Sequence, residues 1–205
     1  DPARFPALCD TTALYGHTVR SAFGARCPIG ALVADQQSAA IAQCCLRPGL
    51  AKITYGTSAT YDAHTGADIK LAAGAYPMVL WQRAGTRSFC IEGMVNTAGA
   101  MIDWAITELR LAASADELSL LAGSVADTAG VYVLPALQGL GTPHGDGARR
   151  ALIGGLTRAT TRAHIARAVF EGIAYRVREV RDAIRAALDS SASTLRVDGG
   201  ASRSD

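Results

Sequence analysis

ALVADQQSAAIAQCCLRPGLAKITYGTSAT, residues 31–60, is the stretch on which the reading of this chain turns. An apolar run, Ile29 to Val33, reads as a short strand leading to Asp35, where an Ala-rich helix over residues 36–46 should begin. Arg47-Pro48-Gly49 ends that helix, because proline disfavours continuation and glycine permits a reversal. Beyond the break, Ile53, Thr54, Tyr55, Thr57, Thr60 and Tyr61 favour extended backbone, with glycines where turns belong. A carboxylate at a strand-to-helix junction, followed by a hydroxyl-rich glycine turn, suits phosphoryl transfer to an alcohol. The carboxylate takes the hydroxyl proton, and the turn's amides hold phosphate. Each half also has a plain structural reading: Asp is a preferred helix N-cap, and Gly-Thr turns close many hairpins. Gln36 and Gln37 can hydrogen-bond a polyol, or serve only as first-turn helix residues.

Residues 1–28 carry scattered Pro, Gly, Thr and Cys and read as loops and short strands. Downstream, the segment Ala51–Gly66 and two strand candidates, Met78–Trp81 and Ser88–Ile91, are most simply arranged as a β-meander. Ala98, Met101, Ile102, Ala105, Ile106 and Leu109 recur at three- and four-residue spacing, which predicts an amphipathic helix capped by Asn96 or Thr97. Gly99, in its first turn, marks close approach either of a ligand or of another element. A shorter helix is expected over Ala115–Leu121. Val131–Leu134 reads as a buried strand, followed by the glycine-rich loop GLGTPHGDG (139–147) and a strand at Ala151–Ile153. The clearest helix follows: Ile165, Val169, Ile173, Val177, Val180, Ile184 and Leu188 form one stripe, and Arg162, Arg167, Arg178, Arg181 and Arg185 a solvated face. A last strand, Leu195–Val197, delivers Asp198-Gly199-Gly200, where a nucleotide can lie against bare backbone. Strand runs followed by helices predict an α/β fold with a mixed sheet flanked by helices.

The totals exclude several classes. With 49% hydrophobic and 19% charged residues in 205, the chain is an ordinary globular one, and a net charge of +2 gives no grip on nucleic acid or membrane surfaces. No apolar run reaches the length of a membrane helix, so no membrane insertion is expected. Five cysteines match no metal spacing, which points to a reducing cytoplasm; Cys44-Cys45 is expected to pack within a helix. His17, His64, His144 and His164 share no ligand spacing and are expected at the surface, and Asp146 to form a turn. No Walker P-loop occurs. The chain opens without methionine and stops directly after a glycine turn, as a piece of a longer protein would.

Taken in order, a set of short motifs resembles the FGGY carbohydrate kinase family, and within it the branch that phosphorylates glycerol. They are Tyr15-Gly16-His17-Thr18, Asp35-Gln36-Gln37, Ala51-Lys52 with Thr54-Tyr55-Gly56-Thr57, Glu92-Gly93, and Ala98-Gly99-Ala100 with Trp104. The set continues with Gly130-Val131-Tyr132-Val133, Pro135-Ala136, Gly139-Leu140-Gly141 and Gly155-Leu156-Thr157-Arg158. It closes with Glu171, Ile173-Ala174-Tyr175 and Arg196-Val197-Asp198-Gly199-Gly200-Ala201. The resemblance implies an actin-like, ribonuclease H-like two-domain ATPase, with residues 1–46 the end of the first domain and 47–205 an incomplete second domain. It implies Asp35 as general base, Asp35 and Gln36 as polyol contacts, and Thr57, Gly99 and Gly200 along the ATP site, with Mg2+ accompanying the nucleotide. Asp103 and Ser204 stand at two further nucleotide-side positions, where the family often carries Gln and Asn. Thr60 stands where glycerol-specific members usually place Phe, so a ketopentose such as xylulose is the alternative substrate. The other phosphate-binding turn, with its magnesium-associated aspartate, would precede Asp1, and the chain alone would be inactive. Self-association into a homo-oligomer is compatible with the family.

Overall fold

A computed structural model describes residue 4 and residues 6–188 and 194–203 of the chain. In chain order the elements are β1 (Gly16–His17), α1 (Arg20–Phe23), β2 (Pro28–Ile29), α2 (Asp35–Ala42), β3 (Leu50–Tyr55), β4 (Ala59–Gly66), β5 (Tyr76–Arg83) and β6 (Thr86–Val95). There follow α3 (Gly99–Thr107), α4 (Ala115–Gly123), β7 (Tyr132–Leu134), β8 (Leu152–Gly154), α5 (Arg162–Ala187), β9 (Thr194–Gly199) and a 3-10 turn over Gly200–Arg203. Among these, no helix is long and apolar enough to cross a membrane.

The central sheet runs β5-β6-β4-β3-β9. Its first four strands pair antiparallel, and β9 joins β3 in parallel, with Ile53 opposite Val197 and Tyr55 opposite Gly199. The sheet is mixed, as expected, but it is not a meander. It is two hairpins laid side by side, with β6 rather than β5 next to β4. β7 and β8 form their own two-stranded ribbon, so Val131–Leu134 does not enter the central sheet.

Strand residues point alternately to the two faces. Ala51, Ile53, Ala59, Tyr61, Ala63, Ile91 and Val95 share one face and are all buried. Helix α5 covers it with Val169, Ile173, Val177, Val180 and Ile184, the stripe expected from its spacing. Burying each such side chain contributes roughly 1.5–3 kcal/mol. Gly93 sets how closely the helix approaches: a Cβ there would lie 2.6 Å from Val180 Cγ1 and 2.8 Å from Ile184 Cδ1.

The opposite face is covered by α2. Ala40, Cys45, Leu50, Leu80 and Cys90 form a second small apolar cluster there, with Trp81 against it. Helix α2 stops at Ala42 and does not run to residue 46; Cys44 takes a left-handed φ of 54°, which ends the helix before Pro48-Gly49 is reached. Cys44 and Cys45 therefore lie beyond the helix, and only Cys45 is buried. The run before α2 is not a strand beyond Ile29: Leu32 and Val33 are exposed, and Leu32 N–H bonds the Thr11 carbonyl at 3.0 Å. Asp10 and Thr11 in turn bond Gln82 of β5, which ties this opening segment to the sheet.

Three further expectations are corrected. Helix α3 is capped by neither Asn96 nor Thr97; Ala98 is its N-cap, and the Thr97 hydroxyl instead accepts from Gln138 N–H at 3.3 Å. His64 is buried, with its ring centroid 5.1 Å from that of Trp81. The arginine face of α5 includes one buried member, Arg176, which donates to the Thr142 carbonyl at 2.7 Å and to Glu179. Asp146 does form a turn, accepting from the amides of Ala148 and Arg149.

Candidate active site

The face beneath α2 is a strip of charge. Strand register aligns Arg196 on β9, Lys52 on β3, Asp62 on β4 and Glu92 on β6. Lys52 is completely buried and its ammonium lies 2.7 Å from Asp62 Oδ2. That contact is a charge pair, and Glu92, facing Asp62 across the strand pair, also bonds the Asp62 carboxyl when protonated. The ammonium also donates to Thr54 Oγ1 at 3.0 Å and to Gln36 Oε1. A lone buried charge would cost several kcal/mol, so the lysine and its acids stand or fall together.

The acids respond as burial dictates. Desolvation pushes the Asp62 carboxyl above its usual range, with Lys52 opposing the shift. Desolvation, helped by the negative charge of Asp62 across the strand pair, pushes Glu92 up to about 7. Two facing carboxyls beside one ammonium thus keep a proton between them toward neutrality. The Cys90 thiol, buried nearby, is pushed up to about 12, chiefly by desolvation.

Asp35 sits in the first turn of α2 and is exposed. It is not the cap. Ala34 holds that position in extended backbone with no side-chain bond, while Asp35 Oδ1 accepts from the Gln36 amide at 2.8 Å. A carboxylate there faces the positive end of the helix. Its charge raises the pKa of both Asp62 and Glu92, so it belongs electrostatically to the same site. Gln36, half-buried, joins Asp35 to Lys52. At the other end of α2, Gln43 Nε2 donates to Asp198 Oδ2 at 2.9 Å, anchoring the helix to β9.

The glycine turns gather at the carboxyl ends of β3 and β9, which are parallel neighbours; open α/β sheets bind ligands in such places. Gly199, with φ of 93°, ends β9 against Tyr55, where a Cβ would come within 2.6 Å of the Tyr55 carbonyl carbon. Gly99 approaches no open space: a Cβ there would lie 2.5 Å from the Gly56 carbonyl oxygen. The first amides of α3 are bonded to this turn, Ala98 and Ala100 to the Thr57 carbonyl and Gly99 to that of Gly56. The turn and the helix start are therefore one rigid unit. Thr57, Gly200 and Asp103 are all exposed around it; Ser204 lies outside the described residues. A cleft of about 330 Å³ opens alongside, lined by Tyr55, Ile102, Ser119, Phe170 and Ala201, with the Arg167–Glu171 ion pair (2.9 Å) at its wall. It adjoins a second opening that includes Gly200.

The structure thus brings Asp35 and Gln36 together on one side of the sheet end, and Thr57, Gly99 and Gly200 on the other. Lys52, Asp62 and Glu92 were absent from the residues expected to form the site. Their signal was the charged residue at alternate positions of three strands, which becomes a strip only when the register is known. Among the described residues no three His, Cys, Asp or Glu side chains cluster as metal ligands.

The pattern of the FGGY family of carbohydrate kinases, C-terminal domain, matches residues 51–205. The chain is 42% identical over 197 residues to the glycerol kinase of Geobacter sp. (strain M21), covering 96% of this chain and 40% of that one. It is 43% identical over 206 residues to the glycerol kinase of Rhodopirellula baltica, covering 98% and 37%. The crystal structure of Plasmodium falciparum glycerol kinase with ADP superimposes with a TM-score of 0.86 at 29% identity, over 96% of this chain and 40% of that one. A sugar kinase structure from Brucella ovis, described as a xyloylose kinase, has the same fold, with a TM-score of 0.84 at 22% identity. The chain therefore spans about 40% of the length of the relatives it matches, and it belongs to the FGGY family of carbohydrate kinases, with their actin-like ATPase fold.

Proposed function

We propose that this chain supplies the general base and the nucleotide-side wall of an ATP-dependent polyol kinase that converts glycerol to glycerol 3-phosphate. In it, residues 1–46 are the end of the first domain and residues 47–205 an incomplete second domain. The observation that carries the reading is the placement of Asp35. It is an exposed first-turn carboxylate that is not the N-cap and bonds the Gln36 amide through one oxygen, mounted over a sheet whose parallel strand ends hold the Thr57 and Gly200 turns.

In this reading Asp35 accepts the proton of a substrate hydroxyl as its oxygen bonds to the γ-phosphorus, while the bond from that phosphorus to the ADP oxygen breaks. Gln36 holds a second polar atom of the polyol. Donors at Thr57 face the developing phosphoryl charge, Gly99 and Gly199 keep the turns close, exposed Gly200 leaves bare backbone beside them, and the cleft past Tyr55 and Ile102 takes the base of the nucleotide. Asp103 and Ser204 lie on the nucleotide side. Mg2+ bound with ATP would neutralise phosphate charge.

Replacing Asp35 by Asn in the full-length enzyme is expected to lower kcat by about 10²–10⁴-fold, the usual worth of a positioned base, with ATP affinity retained. Turnover within a few-fold of the parent would overturn the assignment. The second reading, a ketopentose substrate, is favoured by Thr60, a small buried hydroxyl side chain on the face beneath α2. Faster phosphorylation of xylulose than of glycerol in a substrate panel would select it. Because the chain covers about 40% of its relatives, it is expected to show no turnover by itself. Calorimetry with ATP and Mg2+, with and without glycerol, checks that expectation.

A further inference from the structure

Lys52 does more than balance two acids. Its ammonium is enclosed by three oxygens, Asp62 Oδ2, Thr54 Oγ1 and Gln36 Oε1. An ammonium is a donor only, so the end of the Gln36 carboxamide that meets it has to be the carbonyl oxygen, whichever way the amide is drawn. The NH2 group is then the only end of Gln36 left for a ligand. Gln36 is half-buried and adjoins the exposed Asp35, so that group is within the same first turn.

We propose that Lys52 is a positioning residue for the polyol: by holding Gln36 Oε1 it makes Gln36 a fixed donor to one substrate hydroxyl oxygen, beside the acceptor Asp35. The inference rests on the reading of Asp35 and Gln36 as substrate residues. A donor and an acceptor on adjacent residues match a vicinal diol, in which one hydroxyl offers a lone pair and its neighbour gives up a proton. Asp62 gives the ammonium a counter-charge, and Thr54, two residues along the same strand, prevents it from swinging away from Gln36. Lys52 and Asp62 are buried and Gln36 and Thr54 half-buried, and turning the carboxamide over would set its NH2 group against the ammonium, donor to donor.

The test is a double-mutant cycle in the full-length enzyme, reading the KM for glycerol at saturating ATP. Lys52→Met and Gln36→Ala are each expected to raise that KM about tenfold, the worth of one well-made hydrogen bond, with the KM for ATP unchanged. The double variant should be no worse than either single one, because both remove the same contact. Additive losses would overturn the proposal, as would an unchanged glycerol KM in Gln36→Ala. Because Lys52→Met strands Asp62, the cycle is repeated with Asp62→Leu present, which removes the orphaned charge. If Lys52→Met with Asp62→Leu recovers both thermal stability and the parent KM, Lys52 is only a counter-charge and the proposal fails. Recovered stability with the KM still raised supports it. Gln36→Glu keeps an oxygen for Lys52 but deletes the donor, and is expected to lose as much as Gln36→Ala; a parent-like KM there overturns the donor role. Near-normal turnover of Asp35→Asn would remove the base assignment alone, since the Lys52–Gln36 coupling is read in KM and stands apart from it.

Discussion

Ile53, Tyr61 and Ile91 point to one side of the central sheet, and their chain neighbours Lys52, Asp62 and Glu92 to the other. The same three strands thus build two interiors on opposite principles. The apolar one lies under the 26 residues of α5 and is held by area. The charged one lies under the 8 residues of α2, with little area to offer, and is held by geometry: an ammonium, two carboxyls and a carboxamide. Area tolerates compromise, since an apolar gap costs in proportion to its size. Geometry does not, since a buried charge that loses its partner keeps its whole desolvation cost. The face with the smaller cover is the one that carries Asp35.

The sharpest way to break the contrast is Lys52→Met. It is expected to destabilise by about 3–5 kcal/mol, because buried Asp62 and half-buried Glu92 lose their counter-charge. Adding Asp62→Leu should return most of that loss, turning the charged interior into a second apolar one. Thermal unfolding of the three proteins reads both effects; a parent-like midpoint for the single variant would show that water already reaches the strip. On the other face, Ile184→Ala is expected to cost about 2–5 kcal/mol, as cavities in apolar interiors do, and no change of pH should rescue it.

The smallest effect separates the faces by pH. Glu92 has its folded pKa raised to about 7 from an ordinary carboxylate value of 4.5, chiefly by burial. Its protonated form is the one the fold prefers, so its contribution is fully present below the ordinary value and is lost as pH rises through about 7. Stability should therefore decline between about pH 5 and pH 8, and Glu92→Gln should flatten that decline while leaving the acid side unchanged. A slope that survives in Glu92→Gln would move the titration to another group.

How much of this was legible beforehand follows from the same contrast. The stripe of α5 and the Ile53/Tyr61 alternation are visible because apolar period alone reveals a covered face. Lys52, Thr54, Asp62 and His64 alternate just as regularly, but polar alternation is the signature of a solvated face, and nothing local says that a short helix from residues 35–42 lies over it. His64 was misplaced at the surface for that reason. The meander failed similarly: each hairpin is encoded in its own turn, whereas the choice of β6 over β5 as the neighbour of β4 is made by packing. Asp35 and the Gly56-Thr57, Gly99 and Gly199-Gly200 set were legible as local motifs. Their convergence was not, because it depends on pairing β3 with a strand that begins at Thr194.

That pairing has a consequence in time. The β3–β4 and β5–β6 hairpins close through short turns and form early, whereas Leu50 meets Thr194 only after nearly the whole intervening chain has been drawn in. Until then β3 is a bare sheet edge, open to any stray strand. The Gly56-Thr57 and Gly199-Gly200 turns are therefore expected to come side by side late, in the closure that joins β9 to β3.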